Sequence, residues 1–428
     1  MPGPSPSQAS GMQGIAHNRR SPCRPLPALA ASPAFLDLLP MVTLAALVIP
    51  LLALWLWWPV RLMPRRARLM AAVATAALGC TPALLLVLLR EGTVEYRTLA
   101  YLQVPGGWVL ALLLMLAVFI VLRDGLWALA AVAGRENWKQ RLHAPLLTAG
   151  ALALAGLLSA WGVANALRPP EVHERTLRLP GLPTGLEGLR VAVLADIHAS
   201  PINDARYVQT IVDRTLEARP DLIVLPGDMV DGDVDSGRAN IAPLAQLKAR
   251  HGVWAAPGNH EYYSGYDAWM AEFRRLGLNL LENRMQLIDV QGARLALSGI
   301  GDPAYGRLSR QNTDPSVAEG VPPDIDTVAR QAKEAGAQYH LLLAHQPKTA
   351  RDNAAHGVGL QLSGHTHGGL ILGMDQWLVA PANDGFVRGE YEVGAMKLFV
   401  SAGAGLWAGF AVRLGVPASI DLLVLRGA

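Results

Sequence analysis

Cysteine is nearly absent from the 428 residues. Cys23 lies in a proline-rich lead-in and Cys80 inside an apolar run, so the chain can build neither a disulfide framework nor a cysteine zinc site. Charge is also absent over long stretches: residues 38–60, 69–89, 98–122 and 142–167 contain no Asp, Glu, Lys or Arg. Each is long enough to cross a hydrocarbon core of about 30 Å, which takes about 20 helical residues. Four such runs in succession are hard to hide in a soluble core. Trp57, Trp58, Trp108 and Trp161 lie near their ends, as interfacial anchors would. The expected division is a disordered tail rich in Pro, Ser, Gly and Ala over 1–34, an all-α four-helix transmembrane domain over 35–168, and a second domain over 169–428.

Basic charge is scarce where a nucleic acid would need it. Before Arg168 there are 13 basic and 5 acidic residues, a balance of +8; the remaining 24 and 29 give −5. Nonspecific nucleic-acid binding depends on clustered positive charge, so no nucleic-acid partner is expected and a nuclease is disfavoured. Arginine also bears on orientation. The loop after the first run holds Arg61, Arg65, Arg66 and Arg68, and the third holds Arg123, Arg135, Lys139 and Arg141, against Arg90 and Arg97 in the second. The positive-inside rule then puts loops one and three in the cytoplasm and the second domain outside. Arg19, Arg20 and Arg24 in the tail, and Arg168, Arg175 and Arg178 after the last run, count against it.

Pro169-Pro170 closes the fourth run, since proline cannot continue a helix. Beyond Leu186 the rhythm changes. Short β-type runs at 190–195, 221–225, 252–256, 294–300, 339–344 and 359–363 alternate with helical stretches over 204–218, 238–249, 266–276 and 325–335, which predicts an α/β domain. No internal repeat is visible. In α/β sheets, ligands collect beyond the carboxyl ends of the strands. Just past five of these runs stand Asp196-Ile197-His198, Gly227-Asp228, Gly258-Asn259-His260-Glu261, His345 and His365-Thr366-His367. In an extended segment His365 and His367 point the same way. Asp196, His198, Asp228, Asn259, His345, His365 and His367 make seven oxygen or nitrogen donors, more than one tetrahedral zinc needs. They suit two divalent or trivalent metal ions sharing a carboxylate. With no cysteine among them, manganese, iron or zinc is favoured over iron–sulfur chemistry.

Asp-x-His, Gly-Asp, Gly-Asn-His-Glu, a lone His and Gly-His-Thr-His, in that order, resemble the calcineurin-like metallophosphoesterase superfamily. The stretches Pro226-Gly227-Asp228-Met229-Val230-Asp231-Gly232 and Leu343-Ala344-His345-Gln346-Pro347 resemble its bacterial membrane-associated branch. The likeness covers about residues 186–428. It implies two β-sheets sandwiched by helices, one metal held by Asp196, His198 and His367, the other by Asn259, His345 and His365, and Asp228 bridging both. It also implies that His260 is no ligand and faces the phosphate. The chain would then be a membrane-anchored phosphoester hydrolase of a bacterial inner membrane, its catalytic domain periplasmic or external. A metal-bridged hydroxide would attack phosphorus while His260 assists the leaving group. Anchoring alone makes a lipid-linked phosphoester an attractive substrate, with a soluble diester as the alternative. The competing reading is a catalytically inactive membrane scaffold or sensor that binds metal, and the intact Asp228, Asn259 and His260 argue against it.

Weaker signals surround these motifs. Asp231 and Asp302 follow motif-bearing loops, where a carboxylate either orients an imidazole or caps a turn. Glu261 is expected to fix its loop rather than do chemistry. Leu370 stands where the family pattern has a polar residue, and 401–410 is unusually apolar. Trp407 and Phe410 there fit either the lipid interface or a core, and Met374 and Trp377 are candidates for a pocket wall.

Overall fold

The computed structural model describes residues 46–90, 96–311, 319–406 and 410–428. The expected tail, the start of the first apolar run and Trp407 lie outside them. The N-terminal half consists of α1 (Ala46–Trp57), α2 (Arg65–Gly79), α3 (Thr81–Arg90), α4 (Tyr96–Val132), α5 (Glu136–Leu142) and α6 (Pro145–Ala166). Three stretches, Arg65–Leu85, Tyr101–Val132 and Pro145–Ala166, are long and apolar enough to cross a membrane; the described part of α1 is shorter. Helix α4 outruns its apolar stretch and takes in Arg123 and Asp124. It can do so because Arg123 is satisfied inside the bundle. Its guanidinium donates to the carbonyls of Leu56 at 3.0 Å and Trp55 at 3.1 Å, and to Asp124 at 2.7 Å. These bonds tie the end of α1 to the later part of α4. The early part of α4 packs on the second half of α6, with Trp108 Nε1 donating to the Gly156 carbonyl at 3.1 Å and Ala111 clustered with Val163. The arginine-rich loops therefore share one end of the bundle, and the chain leaves Ala166 at the other.

The second half is a sandwich of two mixed sheets. Its strands are β1 (Glu171–Leu179), β2 (Arg190–Val193), β3 (Leu222–Pro226), β4 (Val253–Ala256), β5 (Asn279–Leu280), β6 (Arg284–Val290), β7 (Ala293–Gly299), β8 (Tyr339–Leu343), β9 (Leu360–Ser363), β10 (Gly389–Val393), β11 (Met396–Val400) and β12 (Ser419–Gly427). One sheet runs β1-β12-β2-β3-β4-β5 and the other β10-β11-β9-β8-β7-β6. Strands β2 to β5 are parallel neighbours, as are β7, β8 and β9, with antiparallel partners at β12–β2, β6–β7 and β10–β11. Alternation decides the layers. Val191, Val193, Leu222 and Val224 face Leu295, Leu297, Leu341, Leu343, Leu360 and Leu362 between the sheets. Ala192, Ile223 and Leu225 turn outward onto Ile211, Trp269 and Phe273 of the flanking helices.

The helix expected over 238–249 begins earlier, as Val234–Ile241, because Asp233 caps it by accepting from Ser236 N–H at 2.8 Å. It then tightens to a 3-10 turn over Ala242–Gln246, where Pro243 cannot donate to an α-helical ladder. The two halves meet through glycine. A Cβ on Gly107 of α4 would lie 2.7 Å from Ala411 N, and one on Gly162 of α6 would lie 2.7 Å from Val412 Cγ1. Only a residue without a side chain lets loop 410–414 approach the helices this closely. Arg413 N–H seals the contact by donating to the Gly162 carbonyl at 2.9 Å.

Candidate metal centre

Strands β2, β3 and β4 of one sheet and β8 and β9 of the other deliver the residues after their carboxyl ends to one place. Asp196, His198 and His367 have ligand atoms within 4.8 Å of one another, and so do Asp228, His345 and His365. Asp228 lies between the two groups: its Oδ2 is 3.0 Å from His345 Nε2 and 3.7 Å from His198 Nε2. His198 Nε2 and His367 Nε2 are 3.1 Å apart. Asn259 is buried beside them, and its Oδ1 has no hydrogen-bond partner among the described residues. A buried amide oxygen left in that state is costly unless it has a ligand role. The donor set and this orphaned oxygen fit a metal site.

Backbone conformation aims these side chains. Asp196, His198, Asp228, His365 and His367 have φ of 53°, 46°, 55°, 74° and 48°. Non-glycine residues seldom adopt the left-handed region, at a cost of about 1–3 kcal/mol each when they do. The surrounding hydrogen bonds hold them there. Asp196 accepts from His365 N–H at 2.8 Å, joining a tip of one sheet to a tip of the other, and Asp228 Oδ1 accepts from His260 N–H at 2.8 Å. The Glu261 carboxylate accepts from the N–H groups of Asp228 (3.0 Å), Met229 (2.7 Å) and Gly258 (2.7 Å), which fixes two motif loops at once.

Tautomers follow from the same bonds. A carbonyl only accepts, so His345 Nδ1–H donates to Pro226 O at 2.8 Å and Nε2 is left to face Asp228. Asp231 Oδ1 receives Nδ1–H from both His198 at 3.0 Å and His260 at 2.5 Å. Of the two carboxylates left open by the sequence, Asp231 therefore orients imidazoles. Asp302 does something else: its Oδ1 accepts from Ala304 N–H at 2.8 Å and the Gln346 amide at 2.6 Å.

Residues 189–369 match the model of the calcineurin-like phosphoesterase family. An uncharacterized metallophosphoesterase of Helicobacter pylori is 32% identical over 277 residues, covering 64% of this chain and 68% of that protein. The chain belongs to the calcineurin-like phosphoesterase family. A Bos taurus transmembrane protein with metallophosphoesterase domain is 31% identical over 317 residues, covering 71% of this chain and 67% of its own. A Campylobacter jejuni metallophosphoesterase, also uncharacterized, is 32% identical over 61% of this chain and 65% of its own length.

The site balances buried charge. Burial pushes the Asp196 carboxyl up. Burial acts the same way on Asp228, but the imidazoles of His345, His260 and His198 outweigh it and hold that carboxyl well below its ordinary range. Burial alone would lower His260 and His345. The Asp228 carboxylate beside each, with Asp231 for His260 and Asp196 for His345, instead raises them to about 9 and about 10. His365, deeply buried and next to His345, falls to about 3.

Sequence reading gave no sign of one residue of this site. Arg413 is fully buried; its Nη1 donates to the His367 backbone carbonyl at 3.3 Å and its Nη2 to the Gly405 carbonyl at 2.9 Å. It comes from the apolar loop that docks on the helices, more than forty residues beyond the last motif, and no spacing rule links it to His367.

Proposed function

We propose that this chain is a membrane-anchored hydrolase of phosphate esters that uses two divalent or trivalent metal ions, with manganese, iron or zinc as candidates. Asp196, His198 and His367 would hold one ion, Asn259, His345 and His365 the other, and Asp228 would serve both. The observation that carries this reading is the pair of three-residue clusters, Asp196 with His198 and His367, and Asp228 with His345 and His365, Asp228 being also 3.7 Å from His198 of the first. When bound, such ions supply Lewis acidity toward phosphate oxygens and a water made acidic enough to ionise near neutral pH.

The protein's own groups do the rest. Asp231 holds the rings of His198 and His260 through their Nδ1 atoms, so both present Nε2. His260 is the less buried of the two, and the Asp231 carboxylate at its Nδ1 favours the protonated ring. It is suited to hand the Nε2 proton to the departing oxygen. The domain limits 35–168 and 169–428 fit this division of labour. The arginine-rich loops cluster at the end of the bundle away from the phosphoesterase domain, which supports an external position for that domain. A lipid-linked substrate accords with the anchoring.

Elemental analysis of the purified full chain, followed by hydrolysis of an aryl phosphate with manganese, iron or zinc added back, tests the reading. Two equivalents of metal with chelator-sensitive turnover are expected. Metal without turnover on any member of a phosphoester panel would favour the inactive scaffold or sensor instead.

A further inference from the structure

Beyond Leu167, the large apolar side chains exposed among the described residues are Tyr263, Leu372, Trp377 and Leu378. Tyr263 sits against His260 at the rim of the metal centre, with ring centroids 5.6 Å apart. The other three come from one short stretch and are 62, 82 and 57% exposed. A tryptophan so exposed in a water-facing loop is unusual, and a cluster of three such side chains marks a contact surface.

Their surroundings say what they contact. Leu372 N–H donates to Leu414 O and Leu414 N–H to Leu370 O, both at 2.9 Å, so the two apolar loops form one short ladder. The inner side of this lobe, through Ile371, Met374, Phe410 and Val412, packs on Ala111 and Val163. Phe410 thus packs on the helices. Ala111 belongs to the candidate span Tyr101–Val132, and Val163 to Pro145–Ala166. Val163 is three residues from the end of α6, about 4.5 Å along the axis at 1.5 Å per residue. Whatever lies against the flank of a span at that level shares its depth, the layer where hydrocarbon gives way to headgroups. The side chains pointing away from the helices then face lipid. Trp161 and Arg168, stacked with the guanidinium 5.5 Å from the ring centroid, mark the same belt. Gly415 lines a crevice with Trp161 and Arg168, and a Cβ on it would lie 2.9 Å from Leu372 Cβ, so the lobe adjoins the end of α6 at that belt.

The lobe is also clamped to the metal centre. Arg388 Nη1 donates to the Gly368 carbonyl at 2.6 Å and to Asp375 at 2.5 Å, which joins the turn carrying Trp377 to the turn that follows His367. We propose that residues 372–378 insert into the interfacial layer of the bilayer that the helices cross, and that this lobe holds the His367 side of the metal centre against the membrane surface. The proposal rests on reading α4 and α6 as spans, and does not depend on catalysis. If the centre is a hydrolase, the phosphoesters it reaches most readily are those borne at the lipid surface.

The test uses the full chain in phosphatidylcholine vesicles, with Cys23→Ser and Cys80→Ala as background. Nitroxide labels go on Trp377→Cys, Leu378→Cys, Leu157→Cys in α6 and Asp326→Cys on a distant exposed helix. Collision with oxygen, which concentrates in lipid, is compared with collision with a water-soluble nickel chelate. Labels at 377 and 378 should resemble 157, with several-fold more oxygen than nickel collision, and 326 should show the reverse. Labels at 377 and 378 that behave like 326 overturn the insertion. Shielding from both reagents overturns it too, and points to a protein partner. A water-like label at 157 would instead strike at the spans themselves, so the two failures are distinguishable.

Discussion

The helical half and the phosphoesterase half place charge in opposite ways. Along the helices most apolar side chains face outward, and the few buried polar groups, such as Arg123 and Ser159, are met by backbone carbonyls of the bundle. In the phosphoesterase half the apolar side chains are packed between and behind two sheets, and a cluster of buried charge stands at Asp196, Asp228, Asp231 and the histidines around them. The first arrangement suits a solvent that rejects charge; the second uses the protein itself to concentrate it. A variant that disturbs one half should therefore leave the other's stability untouched, except where the two share residues.

The largest separation is expected from Asp228→Ala. It removes the carboxylate between the two clusters and should take hydrolysis to background with loss of bound metal, while the thermal transition of the helical half stays in place. His260→Ala comes next. Loss of a proton donor typically costs about 10²- to 10⁴-fold, so turnover should fall by that order with metal content unchanged in elemental analysis. Wild-type turnover in His260→Ala would remove the donor role. Metal retained by Asp228→Ala would remove its central position.

The same contrast explains what the sequence made legible. Asp196, His198, Asp228, Asn259, His345, His365 and His367 could be picked out because each stands directly after a strand, and strand ends are local features. The left-handed backbone at five of them was not visible, since nothing in a carboxylate or imidazole announces a positive φ. Strands β1, β5, β6, β10, β11 and β12 fall outside the runs read from the sequence; in β1 and β10 the outward residues, among them Glu171, Glu174, Arg175 and Glu390, hide the alternation. Arg413 escaped because its tie to His367 exists only once the docking loop has folded. In the helical half sequence gave runs but not their ends: α4 continues through Arg123 because Leu56 and Trp55 supply carbonyls from another helix.

A smaller effect is expected where the halves touch. Gly107→Leu would drive a side chain into the backbone at Ala411, which leads into Val412 and Arg413. Loop 410–414 should lift, its amides should exchange faster in hydrogen-exchange mass spectrometry, and Arg413 should lose its grip on His367. Loss of a group that orients a ligand costs about 10- to 100-fold in metal affinity or activity. Unchanged exchange at 410–414 would mean that the contact between the halves is looser than its glycines suggest.

The smallest effect concerns acid stability, and only the phosphoesterase half should show it. His340, on β8, is buried against Ser298 Oγ, which lies 2.6 Å from its Nε2, and burial lowers it to about 4. In the unfolded chain the ring takes up a proton near pH 6.5. Between those values the unfolded state binds more protons than the folded one, so the contribution is whole above about pH 6.5 and drains away as the pH falls toward 4. The gap corresponds to about 3 kcal/mol at most. His340→Gln keeps a polar partner for Ser298 and cannot take up that proton. The fall in the melting temperature of the phosphoesterase transition between pH 7 and pH 5 should then be shallower than in the parent chain, and the transition of the helical half should keep its own pH dependence. Equal slopes in parent and variant would show that His340 takes up its proton alike in the folded and unfolded chain.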